Sequence, residues 1–270
     1  MTSKLSKFIL ARRRAKRKLD FVGVGAQKSG TTTLHHLLAQ HPEIEMPGRK
    51  ELRYFNKHDA FDSDHRPTAG DHQALHKHFT FERTIAGEIT PNYLYWRDAL
   101  PRIQAYNPDI RICVLLRNPV KRAYSHWGHV VRAEQREKRR RPVPPFRELL
   151  QREAEALERD PEFQDTLLSF IGRSRYGEQI RRAKALFPPE QCLFVKSEDF
   201  FADQFGLTDE ICAFLGVGAL TEHARPEPMH RNIGVIPPIG LDDWTLAFGH
   251  LEGEIDAIEQ ELGWDCSDWR

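Results

Sequence analysis

Hydrophobic and polar positions along this chain alternate between short apolar runs and helical spacings. Phe21-Val-Gly-Val-Gly25 is an apolar run that predicts a buried strand. It enters a Gly/Ser/Thr loop, and Leu34, Leu37 and Leu38 then follow at helical spacing. His41-Pro42 should stop that helix, because proline disfavours helical geometry in the residue before it. Ile85–Ile89 predicts a second strand stopped by Pro91, and Leu100–Tyr106 a helix. Arg111–Leu116 is the clearest buried strand, followed by a helix over 119–133 with Pro119 at its first position. Further on come helix 146–159, helix 177–186 closed by Pro188-Pro189, strand 192–196, helix 208–215 ended by Gly216, and a closing helix 252–262. Residues 42–83 and 224–240 read as irregular, and the charge run 134–145 as an exposed loop. Strands alternating with helices imply a parallel sheet covered on both faces.

Composition fits that picture. At 270 residues, with 40% hydrophobic and 29% charged, one large α/β domain is expected. No apolar stretch approaches the length of a membrane span, and Phe8–Ala11 is too short for a signal segment. Four scattered cysteines without CxxC spacing point to reduced thiols, with Cys113 in the core, and to a cytoplasmic setting. A Golgi lumen fits if an upstream anchor has been removed. Net charge is +1, but unevenly spread. Residues 1–18 carry eight basic residues and no acid, leaving 32 basic against 39 acidic in the rest. That gives a basic N-terminal arm, suited to solvent, peripheral membrane or partner contact, and a single domain over 19–270. Such a body is a poor nucleic-acid binder.

The chemistry concentrates in Lys28-Ser29-Gly30-Thr31-Thr32-Thr33, between strand and helix. Backbone N–H groups at a helix N-terminus point at an anion, and the helix dipole favours negative charge there. Gly30 permits close backbone approach, Lys28 brings a charge, and the threonines bring hydroxyls. The segment is not a Walker A loop, since Lys28 lies two residues before Gly30 rather than after the last glycine. A plain strand–turn–helix needs a glycine, but not a lysine with three threonines.

This loop resembles the 5′-phosphosulfate loop of sulfotransferases that use 3′-phosphoadenosine 5′-phosphosulfate (PAPS). A second block is similar to that family's 3′-phosphate motif: Arg117 at a strand end and Ser125 eight residues later. Glu88-Ile-Thr-Pro-Asn-Tyr93 resembles the Glu-Lys-Thr/Ser-Pro-x-Tyr segment of the heparan-sulfate-type branch, and Tyr176–Ile180 and Val195–Asp199 extend the likeness over roughly 20–240. The resemblance implies a three-layer P-loop-like fold with a central parallel sheet flanked by helices. It implies PAPS as sulfuryl donor, PAP as product and no metal. Lys28, Ser29, Gly30, Thr31, Thr32, Thr33, Arg117 and Ser125 would hold the donor, with Arg231 and Asn232 (and His230) reaching it from 224–240.

Lys50-Glu51-Leu-Arg-Tyr-Phe55 resembles the family element that supplies a glutamate base, which carries over to Glu51. The cytosolic branch uses a histidine, so His58 and His65 compete for that role. Lys28 would meet charge on the leaving oxygen, and Glu88 would orient the acceptor or a neighbouring cation. Where the family has lysine this chain has Ile89, which supplies no charge. A neutral carbohydrate, glycolipid or small metabolite therefore fits better than a polyanion. Tyr54, Phe55, Phe61, Tyr93, Tyr95 and Trp96 are candidates to line an acceptor face, with core packing as the competing reading. His72, His76 and His78 have ligand-like spacing but no Cys or paired carboxylates. Two other classes stay open: a P-loop nucleotide kinase, which would need a Mg²⁺-holding carboxylate at a strand end, and a catalytically silent nucleotide-binding scaffold.

Overall fold

Five apolar runs become strands: β1 (Phe21–Gly25), β2 (Ile44–Glu45), β3 (Ile85–Ile89), β4 (Arg111–Leu116) and β5 (Cys192–Lys196). They form one all-parallel sheet in the order β2-β3-β1-β4-β5. The structure is a computed structural model and describes residues 17–68, 72–137, 143–165, 167–223 and 237–270. Side chains alternate across the sheet as the two-residue period requires. Val22, Val24, Ile112, Val114 and Leu116 face one cluster, together with helices 99–106, 176–186 and 241–262. Phe21, Cys113, Leu115, Ile89 and Val195 face the other, under helices 31–38, 197–202 and 204–215. This is the expected three-layer architecture. Buried on both faces, the strands read as continuous apolar runs.

Helices are labelled α1 (Thr31–Leu38), α2 (Gln73–His76), α3 (Ala99–Tyr106), α4 (Pro119–Arg136), α5 (Phe146–Arg159), α6 (Tyr176–Leu186), α7 (Ser197–Ala202), α8 (Gln204–Leu215), α9 (Leu220–His223) and α10 (Leu241–Leu262). Several bounds differ from the sequence expectation. α1 stops at Leu38, three residues before His41-Pro42. α4 runs on to Arg136, into the expected charged loop; Asn118 caps its start by accepting from the Lys121 amide at 2.9 Å, and its buried residues all lie between Pro119 and Gly128. Residues 42–83 hold β2 and α2, both too short to show a period. α10 begins eleven residues early: Ala247, Leu251, Ile255 and Ile258 form one buried stripe that overrides Gly249 and Gly253. At the N-terminus, Arg17 is not a free arm residue. Its guanidinium donates to the carbonyls of Phe81, Arg83 and Thr84, and Lys18 lies over the Tyr106 ring. The rest of the arm, residues 1–16, lies outside the described residues.

One buried carboxylate fixes the segment that follows β2. Glu88, on β3, is fully buried. It accepts hydrogen bonds from Thr90 Oγ1 (2.8 Å), Tyr93 Oη (2.6 Å) and the Leu52 backbone. Thr90 Oγ1 in turn accepts from the Arg53 amide, and Tyr93 Oη from the Tyr54 amide. The Glu51 amide donates to the Ile89 carbonyl at 3.2 Å. Residues 51–55 are thereby strapped across the end of β3, with Glu51 and Arg53 both at left-handed φ (62° and 54°). The sequence expectation had Glu88 orienting the acceptor or a neighbouring cation; in the structure its buried carboxylate bonds Thr90, Tyr93 and the Leu52 backbone, with Lys50 acting on it more weakly.

Two predictions follow from these packing features. Gly249 and Gly253 are exposed on α10, and a Cβ at either position meets nothing within 4 Å. Gly249→Ala and Gly253→Ala should each stabilise the fold by about 0.5–1 kcal/mol. A thermal-unfolding midpoint that falls in both variants contradicts a continuous outward-facing helix there. Burial raises the Glu88 carboxyl to about 7, against the bonds from Tyr93, Thr90 and Leu52. The folded state then binds more protons than the unfolded one between about 4.5 and 7, so stability falls as pH rises through that window. The loss is up to about 3 kcal/mol. In Glu88→Gln that slope disappears. Urea titrations at pH 5 and pH 8 should show the variant gaining on the wild type at pH 8, and a pH-independent gap means Glu88 ionises normally.

Candidate active site

β1 sits between β3 and β4, and the chain passes from one side of it to the other. The crevice at the strands' C-terminal ends is therefore the topological switch point, where open α/β sheets bind ligands. The loop after β1 occupies it. Gly30 has φ 94° and precedes α1 without a side-chain cap, so the amides of Thr31, Thr32 and Thr33 in the first turn meet no capping side chain. A residue with a Cβ is strained at that φ, and its Cβ would meet the Phe200 and Phe201 rings at 3.1–3.4 Å. Lys28 also has a left-handed φ, 75°.

Three neighbours hold this loop. Arg117, at the end of β4, donates from Nη1 to the Lys28 carbonyl at 3.2 Å. The Ser197 hydroxyl, at the start of α7, donates to the Ser29 carbonyl at 2.9 Å. The Ala26 amide donates to the Leu115 carbonyl at 2.6 Å. Burial lowers the Arg117 guanidinium, opposed by the Glu198 carboxylate and Tyr176. Below the loop, Tyr176 is fully buried and its phenol is pushed up to about 12; Arg122, the Ser29 side chain and the Arg117 backbone work against that rise. Arg122 is also fully buried, donating to Ser174 Oγ (2.6 Å) and the Phe170 carbonyl (2.5 Å). The loop, Arg117 and Tyr176 are thus brought together, and Ser125 lies half-buried in the first half of α4. His230, Arg231 and Asn232 lie outside the described residues.

Across the crevice stands Glu51. Its carboxylate pairs with Lys50 (2.9 Å) and Arg53 (2.9 Å). Burial raises its carboxyl, but Lys50 and Arg53 outweigh that and hold it below the ordinary carboxylate range. Glu51 is therefore ionised at neutral pH. Two histidines that the sequence reading did not single out belong here. His129 is lowered by burial and by Lys28, Arg132 and Arg136, with Glu51 opposing. His126 is lowered well below its usual value by burial, then by Arg122, Arg173, His129 and Lys28. Lys28 and Glu51 both act on His129, so the loop and the strap lie near the same stretch of α4. The signal was present: Arg122, His126 and His129 are spaced by four and three along α4. On α1, burial followed by Lys50 and His36 takes His35 down to about 4.

The remaining candidates sit elsewhere. His58 pairs with Asp98 at 3.6 Å, and His65 lies in a turn closed by Asp62. His72 and His76 contact the hydroxyls of Tyr54 and Tyr106 at 3.1 and 2.9 Å. Of the aromatic candidates, Tyr54, Phe55, Phe61, Tyr93 and Tyr95 are buried in packing, and Trp96 alone is half-exposed. Among the described residues, His41, Glu43 and His223 gather ligand atoms within 4.8 Å. Both ring nitrogens of His41 are engaged there, by the Glu43 amide and the Gly218 carbonyl. No helix among the described residues is long and apolar enough to cross a membrane.

Comparison with known proteins agrees with this geometry. The chain is 30% identical over 194 residues to the Mus musculus heparan sulfate glucosamine 3-O-sulfotransferase 3A1, covering 72% of this chain and 44% of that protein. It is 27% identical over 172 residues to the membrane-associated sulfotransferase kil1 of Dictyostelium discoideum, covering 62% of this chain and 33% of that protein. It thus spans less than half the length of these curated relatives. Among solved structures, a sulfotransferase from Alicyclobacillus acidocaldarius matches with a TM-score of 0.75 at 28% identity, covering 94% of this chain and 99% of that one. The sulfotransferase domain of the curacin biosynthetic pathway shares the fold, with a TM-score of 0.53 at 16% identity, covering 92% of this chain and 99% of that one. The sulfotransferase family model matches residues 20–222, most of the chain and every element of the crevice described above, and the chain belongs to that family.

Proposed function

We propose that this chain moves the sulfuryl group of PAPS to a hydroxyl (or amine) of a carbohydrate, glycolipid or small-molecule acceptor by in-line displacement. PAPS supplies an activated sulfuryl group on a phosphate leaving group. The first-turn amides of α1, with Ser29 and the threonine hydroxyls, receive the 5′-phosphosulfate. Lys28 meets charge growing on the leaving oxygen, a role in which one lost donor typically costs about 10²–10³ in rate. Arg117 and Ser125 take the 3′-phosphate, with Arg231 and Asn232, which lie outside the described residues, as further candidates. Glu51 accepts the proton of the acceptor hydroxyl, and Lys50 and Arg53 keep it ionised and in place. Glu88 holds the strap that carries Glu51.

The observation that carries this reading is the Arg117–Lys28 carbonyl bond, which joins the two parts of the donor cradle across β1 and β4. It also weighs against the kinase reading, since the end of β4 offers a guanidinium where Mg²⁺ would need a carboxylate. A reducing, cytoplasmic setting remains the reading for the chain, with the basic arm ahead of Arg17 as a candidate peripheral membrane contact.

Calorimetric titration with PAP, and separately with ATP plus Mg²⁺, tests the donor site. PAP should bind at micromolar or tighter affinity; ATP binding without PAP binding sinks the proposal. Glu51→Gln should keep PAP affinity within about threefold and lose about 10²–10⁴ in turnover of labelled PAPS. Unchanged turnover removes Glu51 as the base, and no wild-type turnover on any acceptor favours the silent scaffold. Because Glu51 sits below the usual carboxylate range, kcat/KM should show no acid limb above pH 5. A limb at pH 6–7 that persists in Glu88→Gln would assign proton transfer to a histidine, since Glu88 itself is raised to about 7.

A further inference from the structure

Ser125, His129, Arg132 and Arg136 follow one another along α4 at spacings of four, three and four. Those spacings place all four on a single helix face. Ser125 is half-buried, His129 exposed, Arg132 half-buried and Arg136 exposed. Arg136 Nε donates to the Arg132 carbonyl at 3.3 Å, which keeps its side chain along the same line. Measured along the helix axis, Ser125 stands about 6 Å before His129, and Arg132 and Arg136 stand about 4.5 and 10.5 Å beyond it.

Each stretch of that line has different neighbours. Ser125 belongs to the end that begins next to Arg117 and β4. His129, in the middle, is acted on by both Lys28 and Glu51, so the reacting groups meet the line there. Arg132 and Arg136 lie past that point, on the side away from Arg117. The charge there is positive: Lys28, Arg132 and Arg136 each lower His129 more strongly than Glu51 raises it. The acids of this part of the helix, Glu134 and Glu137, stand about 110° or more from the centre of the line. Across the crevice, Glu51 already has two cations at 2.9 Å, Lys50 and Arg53. Two like charges four residues apart on a helix repel each other, and an anion between them relieves that repulsion. The guanidinium fork suits an oxyanion such as carboxylate or sulfate.

We infer that Arg132 and Arg136 are specificity residues for the acceptor, binding a carboxylate or sulfate group that it carries about 5–10 Å from the hydroxyl that receives the sulfuryl group. The inference rests on the acceptor reading proposed above and adds the charge of the acceptor and its place. It replaces the neutral acceptor expected from Ile89: β3 brings no positive charge to the crevice at that position, and α4 does.

The test is equilibrium dialysis against the full chain loaded with PAP, at about 20 mM salt, where exposed charges are weakly screened. With PAP in place, an added anion does not occupy the donor cradle. Two pairs serve as probes: 4-methylumbelliferyl β-glucoside with the β-glucuronide, which differ by one carboxylate, and chitotetraose with hyaluronan tetrasaccharide. The anionic member of at least one pair should bind about fivefold or more tightly than the neutral one. Arg132→Gln combined with Arg136→Gln should bring that ratio below about twofold, with PAP and neutral-probe affinities within about twofold of wild type. Arg136→Gln alone, at an exposed position, should lose part of the ratio and decides the matter if the double variant fails to fold. Arg152→Gln, exposed on α5, should leave the ratio unchanged. A wild-type ratio below about twofold in both pairs, absence of binding by both anionic probes included, overturns the inference. So does a ratio that survives in the double variant, or one that falls equally in Arg152→Gln. Failure of PAP to bind removes the donor reading instead, and the same dialysis on the unloaded chain still decides the dependence on Arg132 and Arg136.

Discussion

The buried carboxylate of Glu88 is the constraint on which the acceptor side of this molecule depends. A carboxyl sealed from water must be given partners, and here the partners are Thr90, Tyr93 and the backbone of the strap. Because Thr90 and Tyr93 pass the bonds on to the Arg53 and Tyr54 amides, one buried charge orders five residues of irregular chain. That order is what allows two non-glycine residues, Glu51 and Arg53, to sit at left-handed φ. Such conformations persist where surrounding bonds over-determine them.

The donor side is ordered differently. Its loop is short and is gripped from three directions: by Arg117 from β4, by Ser197 from α7 and by the Leu115 carbonyl. Behind it, Tyr176 and Arg122 are removed from water altogether. A loop held this way has its first-turn amides and Lys28 fixed in advance, and fixed donors are the condition for efficient electrostatic stabilisation of an anion. The two sides meet over α4, whose histidines are kept neutral by burial and by the surrounding cations.

How much of this was legible in the sequence follows from how local each feature is. Strands β1, β3, β4 and β5 and helix α5 were read to the residue, because each is a self-contained apolar run or stripe. β2 was not, since two residues carry no period and Ile44 pairs only through β3. The first half of α10 was missed because two glycines and a proline-rich approach argue locally against a helix that tertiary packing then stabilises. The phosphate-type loop was legible as chemistry because glycine, lysine and hydroxyls are contiguous. The Glu88 network was not, since it joins residues 35 or more positions apart. Nor was the burial of Ile89, whose side chain is in the core beside Gly23. Lys50 and Arg53 bring positive charge to Glu51 from either side of it in sequence.

The two carboxylates of the acceptor side show how one short segment assigns opposite roles to the same functional group. Glu51 and Glu88 differ little in intrinsic acidity, and both are withdrawn from bulk water. Two cations at 2.9 Å hold Glu51 in its charged form. Glu88 is hydrogen-bonded by neutral donors, and burial outweighs these and the weaker pull of Lys50 to push it up to about 7. Environments that drive paired titratable groups apart separate their tasks. The cations keep the group at the crevice ionised, and the half-neutral group holds backbone. Reversing the two environments would require moving Lys50 and Arg53, which flank Glu51 at the start of the strap that Glu88 secures. The ionisation of Glu51 and the local fold are therefore one constraint.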